Sequence, residues 1–194
     1  MSEFRLSSGY MTIEQRISLR WTHFIALGVA MIGWGVVPIE AGNRVLIADG
    51  KVSIEIPSGW EESELNADKV LAGYATQDNR TSVFLQALDP ASNGTMQDLI
   101  NGIIENFDKT FEMTKVDESK TGQVEGPEKK WPAVFSVAEG KFTKEEKEFE
   151  MKFYILIFDT GTGLYFLQAS TTMPVRESRE RQIYELIRSI IAKS

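Results

Sequence analysis

Residues 148–172, EFEMKFYILIFDTGTGLYFLQASTT, constrain this chain more than any other stretch. Phe149, Met151 and Phe153 alternate with polar neighbours, and residues 154–158 then become apolar on both sides. An alternating run of this length is a strand, and a strand apolar on both faces must be covered on both faces. Thr160-Gly161-Thr162-Gly163 separates it from a second apolar strand, LYFLQASTT. A phosphate-binding loop would join a strand to a helix N-terminus, whereas here strands lie on both sides, so the segment reads as a hairpin turn.

The rest of the chain supplies what such a hairpin needs. Residues 44–60 read as an opening strand with Val52, Ile54 and Ile56 on one face, opened by Asp49-Gly50 and closed by Pro57-Ser58-Gly59. VLAGYAT (residues 70–76) and TSVFLQAL (residues 81–88) flank a four-residue polar turn and predict a hairpin. Thr95 with Asp98 three residues on is a capping-box variant. Met96, Leu99, Ile100, Ile103, Ile104, Phe107 and Phe111 follow at helical spacing as one apolar stripe. A weaker polar strand is expected over residues 112–125, then Gly126-Pro127 and a strand near residues 133–137. Pro174 is placed to open a last helix, striped by Ile183, Ile187, Ile190 and Ile191. The expected fold class is α+β: one mainly antiparallel sheet flanked by helices on both faces, in a single domain over residues 42–194. The charge-dense KFTKEEKEFE (residues 141–150) reads as a solvated hairpin tip.

Residues 1–41 form a different kind of segment. Residues 21–39 carry no formal charge, and FIALGVAMIGWGVV (residues 24–37) follows Arg16 and Arg20. This is the layout of a secretory signal cleaved after Ala41, with Met11 an alternative start, or of an uncleaved N-terminal anchor. Either way the arginines stay inside and the domain is delivered outside the cytoplasm, as in a bacterial periplasm or cell envelope. The membrane is met only through this segment, if it is retained. With no Cys anywhere, a lipid-anchored form is excluded.

The missing Cys also bounds chemistry. The single histidine, His23, lies in the leader, so the folded part has neither thiol nor imidazole. Structural zinc, Cys nucleophiles, Ser-His-Asp relays and iron-sulfur ligation are set aside, and no cofactor is expected. The leader holds three charges of each sign, leaving 18 cationic against 25 anionic side chains. That acidic balance, without a basic cluster interleaved with aromatics, argues against a nucleic-acid partner.

The order of elements, with Ile56-Pro57-Ser58-Gly59-Trp60 closing the first strand, the helix at Thr95, the long aromatic hairpin and a last helix ending Ile187-Arg188-Ser189-Ile190, resembles the Mog1/PsbP-like fold and in particular its secreted DcrB-like group. The resemblance covers about residues 50–194 and implies an α/β/α sandwich serving as a non-enzymatic accessory or binding domain. PsbP-like relatives act on photosynthetic complexes and Mog1-like ones on a small GTPase. This chain lacks the lipobox Cys of secreted relatives and any His for metal binding, and no functional residue is carried over.

Candidate chemistry is sparse. Trp60 followed by Glu61, Glu62 and Glu64 in a loop is a ring-and-acid arrangement suited to stacking and hydrogen bonding, against the simpler role of Trp60 as a core plug at a strand end. Phe153, Tyr154, Phe158, Tyr165 and Phe166 line a pocket for an apolar ligand or are core. Asp89 and Asp159, at strand ends without calcium-loop spacing, read as turn stabilisers. Asn79-Arg80-Thr81 and Asn93-Gly94-Thr95 match the glycosylation pattern, which matters only in a eukaryotic secretory pathway. The binding-surface candidates are therefore Trp60, Glu61, Glu62, Tyr154 and Tyr165, with no catalytic, cofactor or metal residue assigned. The expected function is a non-catalytic extracytoplasmic binding domain for a protein partner or envelope complex. The alternatives are a small apolar-ligand carrier and a carboxylate-dependent hydrolase.

Overall fold

The computed structural model describes residues 43–63, 69–89 and 94–194, so the leader, Glu64 and Asn93 lie outside the described residues. In chain order the elements are β1 (Arg44–Ile47), β2 (Val52–Glu55), β3 (Trp60–Glu62), β4 (Val70–Thr76), β5 (Thr81–Leu88), α1 (Met96–Asp108), β6 (Glu112–Val116), β7 (Lys120–Val124), β8 (Trp131–Lys144), β9 (Lys147–Asp159), β10 (Leu164–Thr172), α2 (Glu177–Arg188) and β11 (Ile191–Ala192). Among the described residues they form an eight-stranded sheet in the order β3-β4-β5-β10-β9-β8-β6, with β7 also on β8, and a three-stranded sheet β1-β2-β11. All strand pairs are antiparallel. With the two helices among the described residues, this is a mainly antiparallel α+β fold.

The hairpin over residues 148–172 is the middle of the large sheet, with Tyr165 opposite Phe158 and Thr172 opposite Met151. Its side chains divide by parity. Phe153, Ile155 and Ile157 join one buried cluster with Ile100, Ile103 and Phe107 of α1. Tyr154, Leu156 and Phe158 join another with Ile183 and Leu186 of α2 and Val52, Ile54 and Ile56. Two partners for one strand explain why residues 154–158 have no polar side: each fully buried apolar side chain is worth roughly 1.5–3 kcal/mol, and both faces collect it.

Several expectations need correction. The opening segment is three strands rather than one, because Ala48 and Asp49 (both φ 55°) reverse the chain and Pro57 and Gly59 (φ 78°) interrupt it again. Hence β1 and β2 leave the large sheet for a small one of their own. The polar strand over residues 112–125 is two, β6 and β7, which pair with successive halves of β8. The change of course is pinned where Asp117 N–H donates to Val137 O and Ser136 Oγ donates to Asp117 O. Residues 133–137 are only part of β8, which continues to Lys144 because β9 pairs with it from Ala133 to Lys144.

The last helix does not open at Pro174. Arg176 is still extended (ψ 139°), and the first α-helical bond runs from Glu180 N–H to Arg176 O. At the other end the helix stops at Arg188, leaving Ile190 beyond it and Ile191 in β11. The helix at Thr95 starts as read, with Thr95 Oγ1 accepting from Asp98 N–H (3.1 Å) and Asp98 Oδ2 from Thr95 N–H (2.7 Å), but it stops at Asp108, so Phe111 of the expected stripe lies beyond it, its N–H bonded to Phe107 O.

Candidate functional site

The five residues expected on a binding surface part company in the structure. Trp60 is in β3, fully buried, and among the described residues its indole Nε1 has no hydrogen-bond partner. It is the core plug of the simpler reading. Glu61 and Glu62 belong to the same strand rather than to a loop, and both reach the surface, Glu61 accepting from Gln77 Nε2 at 2.8 Å. Tyr154 and Tyr165 are buried, the latter stacked on Phe158 with ring centroids 5.2 Å apart. The alternation that makes Trp60, Tyr154 and Tyr165 prominent in the sequence turns them into the cluster shared with α2, so they offer no ring surface to a partner.

The hydroxyl end of Tyr154 reaches a polar setting. Tyr154 Oη donates to Glu180 Oε1 at 2.9 Å, and Lys152 Nζ donates to the same oxygen at 2.8 Å. Glu139, across the sheet from Lys152, stands 4.0 Å from its ammonium, and Lys115 lies 3.9 Å from Glu139 and 3.1 Å from Asp117. The hydrogen bond from Lys152 and that from Tyr154 hold the Glu180 carboxyl below its ordinary range against the opposing effect of partial burial. Burial first, then the hydrogen bond to Glu180, pushes the Tyr154 phenol far up, so its hydroxyl keeps the proton it donates to Glu180. Every member has a partner within the cluster, which fastens α2 to β9.

An open cleft of about 480 Å³ lies at the end of the large sheet, lined by Arg80, Glu148, Phe149, Glu150, Thr172 and Met173. Two local features build it. The β4–β5 turn has Asn79 at φ 52°, and Asp78 Oδ1 accepts from Thr76 Oγ1 (2.5 Å) and Arg80 N–H (3.1 Å), which fixes where Arg80 emerges. The β8–β9 hairpin outruns its neighbour, since β10 stops pairing at Met151 while β8 and β9 pair on to Lys144 and Lys147. Glu145 (φ 51°) and Glu146 (φ 63°) form its tip, and Phe142 stacks across it on Phe149 at 5.2 Å.

Within the cleft Arg80 Nε donates to Thr172 Oγ1 at 3.1 Å, and among the described residues the guanidinium makes no ion pair within 4.0 Å. The carboxylates of Glu148 and Glu150 are both engaged by Lys141, at 3.0 and 3.4 Å. Phe149 remains 37% exposed, stacked on Phe142, which itself packs against the α1 cluster. The charge-dense run alone suggests only a solvated tip; its legible signal was Phe142 and Phe149 standing at matched distances from the Glu145-Glu146 turn.

Asp159 and the turn after it behave as read, whereas the turn after Asp89 lies outside the described residues. Residues 160–163 link β9 to β10, Gly161 takes φ 76°, and Asp159 Oδ1 accepts Gly161 N–H at 2.7 Å. Asp89 pairs with Lys69.

No protein-family model matches the chain, and no curated protein sequence does. Solved structures do. The Ran-binding protein Mog1p of Saccharomyces cerevisiae superposes with a TM-score of 0.52 at 9% identity, over 76% of this chain and 93% of that one. PsbP of the cyanobacterium Synechocystis sp. PCC 6803 (CyanoP) gives 0.52 at 11% identity, over 84% and 98%. LpqN, involved in cell envelope biogenesis of Mycobacterium tuberculosis, gives 0.50 at 10% identity, over 82% and 91%. A Bacteroides thetaiotaomicron structure matches at TM-score 0.50 and 15% identity, and there the chain spans only 50% of the other's length. The chain has the Mog1/PsbP-like fold.

Proposed function

We propose that this protein is a non-catalytic binding domain that works outside the cytoplasm on a protein partner or envelope complex. The observation that carries the reading is its fold-level likeness to Mog1p, a Ran-binding protein, and to LpqN, a protein of cell envelope biogenesis. The uncharged residues 21–39 behind Arg16 and Arg20 support delivery across a membrane. The reading takes the two helices to cover opposite faces of the sheet, which the division of β9 between two clusters supports. Recognition then falls to loops, strand ends and strand edges. The apolar-carrier alternative needs Phe153, Tyr154, Phe158, Tyr165 and Phe166 to line a pocket, and all five are at most 5% exposed.

The test is site-specific photocrosslinking of the tagged full-length protein in cells, with the reactive group placed in turn at the exposed positions Leu46, Val116, Glu118 and Phe149. One recurring adduct from a contiguous subset of positions, in cells whose added protease removes the domain from outside, is the expected result. Silence at every position, or a domain protected inside the cytoplasm, overturns the reading.

A further inference from the structure

The cleft at the end of the sheet has a geometry that specifies its occupant. Successive side chains of a strand point to opposite faces, so Phe149 projects to one side of β9 while Glu148 and Glu150 project to the other. A cleft lined by all three must therefore run along the strand's edge rather than over a face of the sheet. That edge has lost its neighbour. The β10 ladder ends at Thr172 opposite Met151, and its last backbone bond is Met173 N–H to Glu150 O at 2.8 Å. The bond fixes which way Glu150 turns its backbone, and strand alternation turns the N–H and C=O of Glu148, two residues further out, to the same vacated side. An unpaired strand edge next to an exposed aromatic ring is a template for an added strand.

The charge beside that edge selects what is added. Lys141 engages Glu148 and Glu150, while Asp78 accepts from Thr76 and from the Arg80 backbone. Among the described residues the Arg80 guanidinium, though it feels the nearby Asp78 carboxylate, makes no ion pair within 4.0 Å, and it is held in place through Nε by Thr172 Oγ1. The net charge of -7 over the whole chain opposes an acidic ligand only at long range, where salt screens it beyond about 8 Å, whereas the guanidinium acts at contact.

We propose that this cleft takes an extended acidic segment of a protein partner, which pairs with the open edge of β9, sets a carboxylate on Arg80 and seats an adjacent apolar side chain on Phe149. The proposal rests on the protein-binding reading above and names the site and the chemistry of the partner.

The experiment pans a random heptapeptide library on the full-length chain in detergent, then measures synthetic peptides from the enriched set. Enriched sequences are expected to carry Asp or Glu next to an aromatic or branched aliphatic residue. Replacing that acid by its amide, or Arg80→Gln in the protein, should each weaken binding by about tenfold or more, the scale of one charge-assisted contact, with Arg80→Lys recovering part of it. Phe149→Ala, shown folded by its circular dichroism, should weaken binding as well. Methylating alternate backbone nitrogens of the peptide should abolish it, and Leu46→Ser, on β1, should leave it unchanged. Enriched peptides without a carboxylate, equal binding by Arg80→Gln, or indifference to backbone methylation overturns the proposal. If no peptide binds while photocrosslinks form from other surfaces, the cleft assignment falls and the protein-binding reading stands; if both are silent, both fall.

Discussion

Tyr154 and Glu180 are joined by a 2.9 Å hydrogen bond through which a buried ring of β9 reaches the first turn of α2. The accepting oxygen also takes Lys152 Nζ, so one carboxylate terminates two donors that strand alternation has brought to the same face. Glu180→Ala leaves both donors without that acceptor and should destabilise the domain by about 1–3 kcal/mol, read as a lower urea midpoint at neutral pH. Tyr154→Phe keeps the Lys152–Glu180 pair and should cost less.

The same carboxylate gives the protein an acid limit. Its folded pKa lies below its unfolded value, so its contribution is complete above the ordinary value of 4.5 and is lost as pH falls through the lowered folded one. Asp78, held down first by its hydrogen bond from Thr76, adds to the same trend. Urea midpoints should be flat above about pH 5 and fall below it, with a smaller fall in Glu180→Gln.

An alkaline limit follows from the tyrosines. Tyr74, Tyr154, Tyr165 and Tyr184 are all raised above 10.0, each mainly by burial. A phenol raised on folding contributes stability below its unfolded pKa, and that contribution is lost as pH rises past 10 toward the folded value. Tyrosinate absorbance should therefore lag that of free tyrosine in the native protein and develop in step with loss of the far-ultraviolet strand signal. Independent early ionisation of these four residues, with structure intact, is the contrary outcome.

Two tryptophans should respond differently to the same substitution. Trp131 Nε1 donates to Ala192 O at 2.8 Å and so anchors β11, whereas among the described residues the Trp60 Nε1 is buried without a partner. Both lose ring volume on change to Phe, but only Trp131→Phe also strands a carbonyl. It should be the more destabilising of the two by about 1–2 kcal/mol in matched urea titrations.

Helix α1 rests on a cap as well as on its apolar stripe. Thr95→Ala removes the acceptor for Asp98 N–H and should cost about 0.5–2 kcal/mol, while Thr95→Ser should be close to neutral; thermal unfolding of the two variants separates them.

How much of this was legible beforehand follows the range of the forces involved. The hairpin over residues 70–88, the cap at Thr95, the turn at residues 160–163 and the doubly apolar centre of β9 were all readable, because each is set by neighbours a few residues apart. The break of residues 44–60 into three strands was not read, although Asp49-Gly50 and Pro57-Ser58-Gly59 were visible, because turn residues do not say which sheet the chain re-enters. The candidate surface fared worst. Aromatic prominence marked Trp60, Tyr154 and Tyr165, and in a sheet with two packed clusters prominence meant burial.

By itself the sequence determined that residues 43–194 carry no thiol and no imidazole, and it carried the period-two and helical patterns that specify an antiparallel α+β fold. Only the tertiary structure decided that β10 releases the edge of β9 at Met151, and that Arg80, some seventy residues from Phe149 along the chain, emerges beside that vacated edge. The physical reason is that periodicity records which side of a strand a residue faces, while the neighbour across a strand edge is chosen by relative strand lengths and register, which no local pattern encodes.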